Sequence, residues 1–89
     1  MKRARVFYSG DVQGVGFRFT AVEIARRYQM AGWVKNTADG RVELVAEAKE
    51  PALQSFLAEL DSAMAYYIRA KNVSWEPATG QLAGFRIEY

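Results

Sequence analysis

Gly32-Trp-Val-Lys-Asn-Thr-Ala-Asp-Gly-Arg-Val-Glu-Leu-Val-Ala-Glu47 reads as a β-hairpin. Asp39-Gly40 is its turn, because hairpin turns of this kind need φ > 0 and glycine adopts it freely. Gly32-Trp-Val-Lys-Asn36 forms the incoming strand. On the outgoing strand Val42, Leu44 and Ala46 share one face, while Arg41, Glu43, Val45 and Glu47 share the other. That alternation is the mark of a strand with one face on a core.

Working outward from the hairpin, a helix is predicted on each side. From Phe17 to Gln29 the apolar residues Phe17, Ala21, Ile24, Ala25 and Tyr28 recur at helical spacing, with Glu23 and Arg27 as an i,i+4 pair. On the other side Pro51 suits a first helical position. Leu53, Phe56, Leu57, Leu60 and Met64 then fall at i, i+3, i+4, i+7 and i+11, an apolar stripe. Farther out, residues 5–9 read as a first strand, Val73 and Trp75 as a fourth stopped at Pro77, and Phe85, Ile87 and Tyr89 as a last one running to Tyr89. The predicted order is β-α-β-β-α-β with an additional C-terminal strand. Two helices on one face of a mainly antiparallel sheet bury both stripes, an α/β sandwich (α+β) of the ferredoxin-like kind. With no linker, repeat or low-complexity tract, residues 1–89 are expected to form one domain.

Composition narrows the chemistry. Hydrophobic residues make up 51% of the 89 and charged residues 25%, a globular balance that excludes disorder. There is no cysteine and no histidine, which removes disulfide frameworks, zinc fingers, thiol nucleophiles, Ser-His triads and His-ligated metals. No metal and no cofactor is expected. Net charge is +2, and Lys2, Arg3 and Arg5 form the one tight basic cluster, expected as a solvated terminus rather than a nucleic-acid contact. No apolar run approaches the roughly 20 residues of a membrane span, and MKRARVFYSG lacks a signal peptide's apolar stretch. The expected setting is cytoplasmic.

Few residues remain to carry chemistry. Glu43 and Glu47 share a strand face, but at ~3.3 Å per residue they lie ~13 Å apart, too far for a glycosidase pair, and read as solvated strand residues. Trp33 and Trp75 read as packing. Gly10-Asp-Val-Gln-Gly-Val-Gly-Phe-Arg18 follows a strand and opens a helix, the context in which backbone N–H groups converge on an anion. A dinucleotide fingerprint is excluded, since Phe19 stands where its third glycine belongs, and no Gly-Lys-Ser/Thr makes a Walker loop. By residue type the stretch is either a plain turn or an anion cradle. If the helix starts near Phe17, Arg18 is a cation in its first turn, where the dipole disfavours it by ~0.3–1 kcal/mol unless an anion is bound. If Thr20 and Glu23 form a capping box, the helix starts two residues later and Arg18 belongs to the loop. Asn36 is either a turn residue bonding nearby backbone or an amide able to hold a water.

The first of these segments resembles the phosphate-binding signature of the acylphosphatase family. Gly32-Trp-Val-Lys-Asn36 with Asp39-Gly40-Arg-Val-Glu43 resembles that family's second signature, and the resemblance spans nearly all of the chain. It implies hydrolysis of small acyl phosphates to a carboxylate and inorganic phosphate. Carried over, the backbone of Gln13, Gly14, Val15, Gly16 and Phe17 with the side chain of Arg18 holds the phosphoryl group, and Asn36 positions the attacking water. The implied enzyme is metal-independent and monomeric, with an acyl phosphate as substrate, inorganic phosphate as product and competing ligand, and no nucleic-acid or membrane partner.

Four positions depart from the family pattern. Tyr8 replaces an aliphatic residue and is expected as a packing change. Ala48 stands at a usual glycine, which bears on the local turn. Gln29 replaces a glycine at the first helix end, at a small capping cost. Asp11 puts a negative charge on the loop flank, where it would weaken phosphate binding. The C-terminal carboxylate of Tyr89 is positioned by the last strand so that it could reach Arg18.

Overall fold

The computed structural model describes residues 1–89. It contains β1 (Lys2–Gly10), α1 (Phe17–Tyr28), β2 (Ala31–Asn36), β3 (Val42–Ala48), α2 (Glu50–Ala63), β4 (Ile68–Pro77) and β5 (Phe85–Ile87). The five strands form one sheet in the order β4-β1-β3-β2-β5. All neighbours are antiparallel except β2 and β5. This is the expected order, with β1 and β4 longer than the sequence suggested. Residues 69–72 of β4, Arg-Ala-Lys-Asn, carry no alternation; they lie in an exposed edge strand held by its pairing with β1.

The core lies between the sheet and the two helices. Ala4, Val6 and Tyr8 of β1, Val42, Leu44 and Ala46 of β3 and Val34 of β2 face Ala21, Ile24 and Ala25 of α1 and Leu53, Phe56, Leu57 and Leu60 of α2. Burying each Leu or Phe of the α2 stripe contributes roughly 1.5–3 kcal/mol, so the two stripes fix which face of each helix meets the sheet. Gly32 is required in mid-strand: a Cβ there would lie 2.9 Å from Ala46 Cα and 2.9 Å from the Phe85 ring. The gap lets Phe85 pack edge-on against Phe56, at 5.8 Å between ring centroids, which seats β5 beside β2.

The outer face of the sheet differs from expectation. Glu43 and Glu47 are not solvated strand residues: Glu47 is 1% exposed and the neighbouring Val45 is fully buried. Arg5 Nη1 reaches Glu43 Oε2 at 2.5 Å, and Arg3 Nε reaches Glu47 Oε2 at 2.8 Å. Lys2 pairs with Glu50 at 2.9 Å. The basic N-terminal cluster is therefore part of β1 with each cation paired; Lys2 is exposed as expected, whereas Arg3 and Arg5 are partly buried rather than solvated. The partners lie more than thirty residues away along the chain, so local pattern could not reveal them.

Ala48 ends β3 in regular pairing with Lys2, and its backbone needs no positive φ. The usual glycine is not required at that turn. Tyr8 is fully buried, its ring 4.8 Å from that of Phe17 and its hydroxyl donating to Asp61 Oδ1 at 3.1 Å. Burial, then the Asp61 charge and the bond to it, push the phenol above its ordinary pKa. Asp61 in turn pairs with Lys71.

Candidate functional site

The chain leaves the sheet through an irregularity between Ser9 and Gly10 and turns into residues 11–16. Gly16 caps α1 with φ 81° and ψ 18°, a left-handed conformation that side chains other than glycine disfavour. The first α-helical hydrogen bond runs from Thr20 N to Gly16 O at 3.0 Å. Helix α1 therefore starts at Phe17, and no side chain caps it, so the Thr20–Glu23 capping box is not formed.

Helices leave their first amides without intrahelical partners. Here the deficit extends backward through the loop. None of the backbone N–H groups of residues 12–19 donates to a protein acceptor. No acidic residue sits in the first turn of α1, and Arg18 there makes no ion pair. The dipole and the free amides thus concentrate positive potential at one point, and an anion is the partner that removes the strain on Arg18.

Asn36 ends β2 on the helix-facing side, opposite Val42. Its side chain makes no hydrogen bond with the protein, because the turn is closed by its neighbours. Thr37 N donates to Arg41 O at 2.8 Å, and Arg41 N donates to Thr37 Oγ1 at 3.1 Å. The Thr37 hydroxyl donates to Asp39, and this bond, then the Arg41 amide and guanidinium, hold the Asp39 carboxyl below its ordinary pKa. Thr37 does the turn bonding, and the Asn36 side chain takes no part in it.

Both side chains line one cavity of about 140 Å³, together with Val12, Gly14, Gly16, Phe17, Phe19 and Ile87. That is well below the roughly 300 Å³ at which pockets begin to enclose drug-sized ligands. It suits a small anionic group whose remainder projects outward. Gln13 and Val15 do not line the cavity; their amides belong to the same unpaired run. The Gln13 side chain instead donates to Thr37 O and Arg41 O.

The expectation for Tyr89 is corrected. Strand β5 stops at Ile87, and Tyr89 beyond it is 97% exposed. No ion pair joins its carboxylate to Arg18; the Tyr89 ring lies against the guanidinium instead, 5.3 Å from centroid to Cζ. The two terminal residues lack the pairing that would continue the strand, although Glu88 N still bonds Val34 O at 2.9 Å. Asp11 lies on the loop flank, as expected, outside the cavity lining, with its carboxylate 3.8 Å from Arg69. Ile87 and the Tyr89 ring carried no sequence signal as site residues, because their place depends on where the sheet brings β5.

Comparison with known proteins follows the same lines. The profile of the acylphosphatase family matches residues 4–87. An acylphosphatase of Roseiflexus sp. (strain RS-1) is 44% identical over 88 residues, covering 98% of this chain and 95% of the relative. The crystal structure of acylphosphatase from Bacillus subtilis superposes with a TM-score of 0.92 at 38% identity, covering all of both chains. An acylphosphatase structure from Coxiella burnetii superposes with a TM-score of 0.76 at 32% identity, covering 98% of this chain and 92% of the other.

Proposed function

The chain belongs to the acylphosphatase family, and on that premise we propose how it hydrolyses the carboxyl-phosphate bond of small acyl phosphates. The phosphoryl oxygens sit on the backbone amides of Gln13 to Arg18, and the guanidinium fork of Arg18 donates to two of them, a geometry lysine does not reproduce. The carboxamide oxygen of Asn36 accepts a hydrogen bond from the attacking water and holds it in line with the bond to be broken. The water oxygen bonds to phosphorus as the phosphorus–acyl oxygen bond breaks, and the electron pair leaves on the carboxylate. A phosphoryl oxygen takes the water proton.

The supporting observation is the coincidence, around one cavity, of an unpaired run of amides, an arginine without an acid and an asparagine without a partner. Phosphoryl transfer needs chiefly positioning and charge stabilisation. A carboxylate is a weak base, so its departure needs no general acid. Neither a histidine nor a cysteine is called for, which suits a chain that has none.

In this reading the enzyme works without metal or cofactor, since amides and a guanidinium are donors for an anion. Residues 1–89 act as one domain and as a monomer, because the loop, Arg18 and Asn36 that the reading requires all come from one small chain. With Lys2, Arg3 and Arg5 committed to glutamates, no basic stripe is left to recruit nucleic acid, and a cysteine-free chain suits the cytoplasm. No helix is long and apolar enough to cross a membrane.

The test is steady-state hydrolysis of benzoyl phosphate with a chelator present and inorganic phosphate as competitor. Turnover that survives the chelator and is inhibited competitively by phosphate is expected. Phosphate binding without turnover would overturn the catalytic reading, and loss of turnover with the chelator would overturn metal independence.

A further inference from the structure

Gln13 is exposed, yet both hydrogens of its side-chain amide are committed to backbone carbonyls far along the chain. Nε2 donates to Thr37 O at 2.8 Å and to Arg41 O at 2.9 Å. Those carbonyls stand at the two sides of the β2–β3 turn, and Thr37 directly follows Asn36. Gln13 itself belongs to the loop that lines the cavity through Val12, Gly14 and Gly16. The loop has glycines with positive φ at Gly10, Gly14 and Gly16, and its amides make no bond to the turn. The Gln13 side chain supplies the hydrogen bonds that join the two halves of the site.

We infer that Gln13 is a positioning residue, fixing the phosphoryl-binding loop against the turn that carries Asn36. It thereby sets the distance and line of attack between water and phosphorus. The inference rests on the reading in which Arg18 and the loop hold the phosphoryl group and Asn36 holds the water. Exposed hydrogen bonds are readily replaced by water, so their loss disturbs the fold little. A displacement of about 1 Å between reacting groups can lower the rate ~10²-fold. The clamp matters more to turnover than to stability.

The experiment measures kcat, KM and phosphate inhibition for Gln13→Ala and Gln13→Glu, with Gln13→Ala also made in an Asn36→Ala background. Gln13→Ala is expected to lower kcat by roughly 10–100-fold while KM and the phosphate inhibition constant change by less than about threefold. In the Asn36→Ala background the same substitution has a much smaller effect, because the water has already lost the group that the clamp aligns. Gln13→Glu sets a carboxylate against two carbonyls and is impaired at neutral pH. Relative to wild type it recovers as pH falls through roughly 4–5, where protonation restores one donor.

An equal loss of kcat in both backgrounds, a loss confined to KM and phosphate inhibition, or an unchanged kcat would each overturn the clamp. Full kcat in Asn36→Ala alone would instead remove the reading beneath it, and the two failures are thus told apart. Should the alanine variant not fold, the acid recovery of Gln13→Glu decides.

Discussion

Two stretches of this chain hold backbone amides that donate to no backbone carbonyl, one at residues 12–19 and one at residues 79–80. In the second a negative charge is built in. Thr79 N and Gly80 N donate to the Glu47 carboxylate, both at 3.0 Å, joined by Thr79 Oγ1 at 2.9 Å and Arg3 Nε at 2.8 Å. Burial alone would raise the pKa of Glu47. The amides of Thr79 and Gly80, then the Thr79 hydroxyl and Arg3, outweigh it and hold the group at about 2. In the first stretch the same kind of donors belong to residues around a cavity, and no acid of the chain reaches them. A satisfied cradle is structure; in the proposed reading the unsatisfied one, beside an unpaired arginine and an idle asparagine, is a site for a charge that arrives and leaves.

Removing donors from the open cradle gives the largest effects. Arg18→Ala is expected to lower kcat/KM by ~10³-fold or more, because both binding and transition-state charge depend on its fork. Asn36→Ala should lower kcat by ~10²–10³-fold with phosphate binding preserved, as for loss of one preorganised transition-state group. Steady-state kinetics with phosphate inhibition separates the two patterns. Near-normal turnover in folded Asn36→Ala protein would break the comparison at its functional end.

The closed cradle responds the other way, in stability. Glu47→Gln leaves amide hydrogens facing N–H donors in a buried place, and is expected to lower unfolding free energy by about 2–4 kcal/mol, read by denaturant melts. Turnover of the remaining folded protein changes little. Because the folded pKa is depressed, from an ordinary value of 4.5 to about 2, the stabilisation from Glu47 is fully present above 4.5 and is lost as pH falls toward 2. Acid unfolding of Glu47→Gln should therefore be less steep over that window than that of wild type. An identical pH dependence would show that the carboxylate contributes no linkage.

The smallest effect concerns the end of α1. Gln29 caps that helix at φ 52° and ψ 42°, the lone residue other than glycine with positive φ. Gln29→Gly relieves the left-handed strain but frees the unfolded chain, for a net gain of roughly 0.5–1 kcal/mol. A thermal melt without an upward shift would contradict it.

These contrasts follow the division between what the sequence revealed and what it did not. The hairpin and the two stripes were legible because period and turn chemistry are local. The same holds for the Gly10–Arg18 loop, whose context between strand and helix is visible in order alone. Glu47 was not legible: its partners Arg3 and Thr79 lie 44 and 32 residues away, and alternation assigned it to water. The resemblance involves Gln13 through its backbone, and an exposed glutamine gives no sign that its side chain spans to another turn. The alternation of Phe85, Ile87 and Tyr89 suggests a strand to residue 89, but pairing with β2 ends at Ile87.

The most direct test of the open cradle is a titration of the folded protein with inorganic phosphate, followed by backbone amide NMR. The account predicts that the largest shifts fall on the amides of Gln13 to Arg18, saturating at the concentration where phosphate inhibits turnover. Saturating shifts centred instead on the cavity around Trp33, Lys35 and Arg86, with residues 13–18 unmoved, would contradict it.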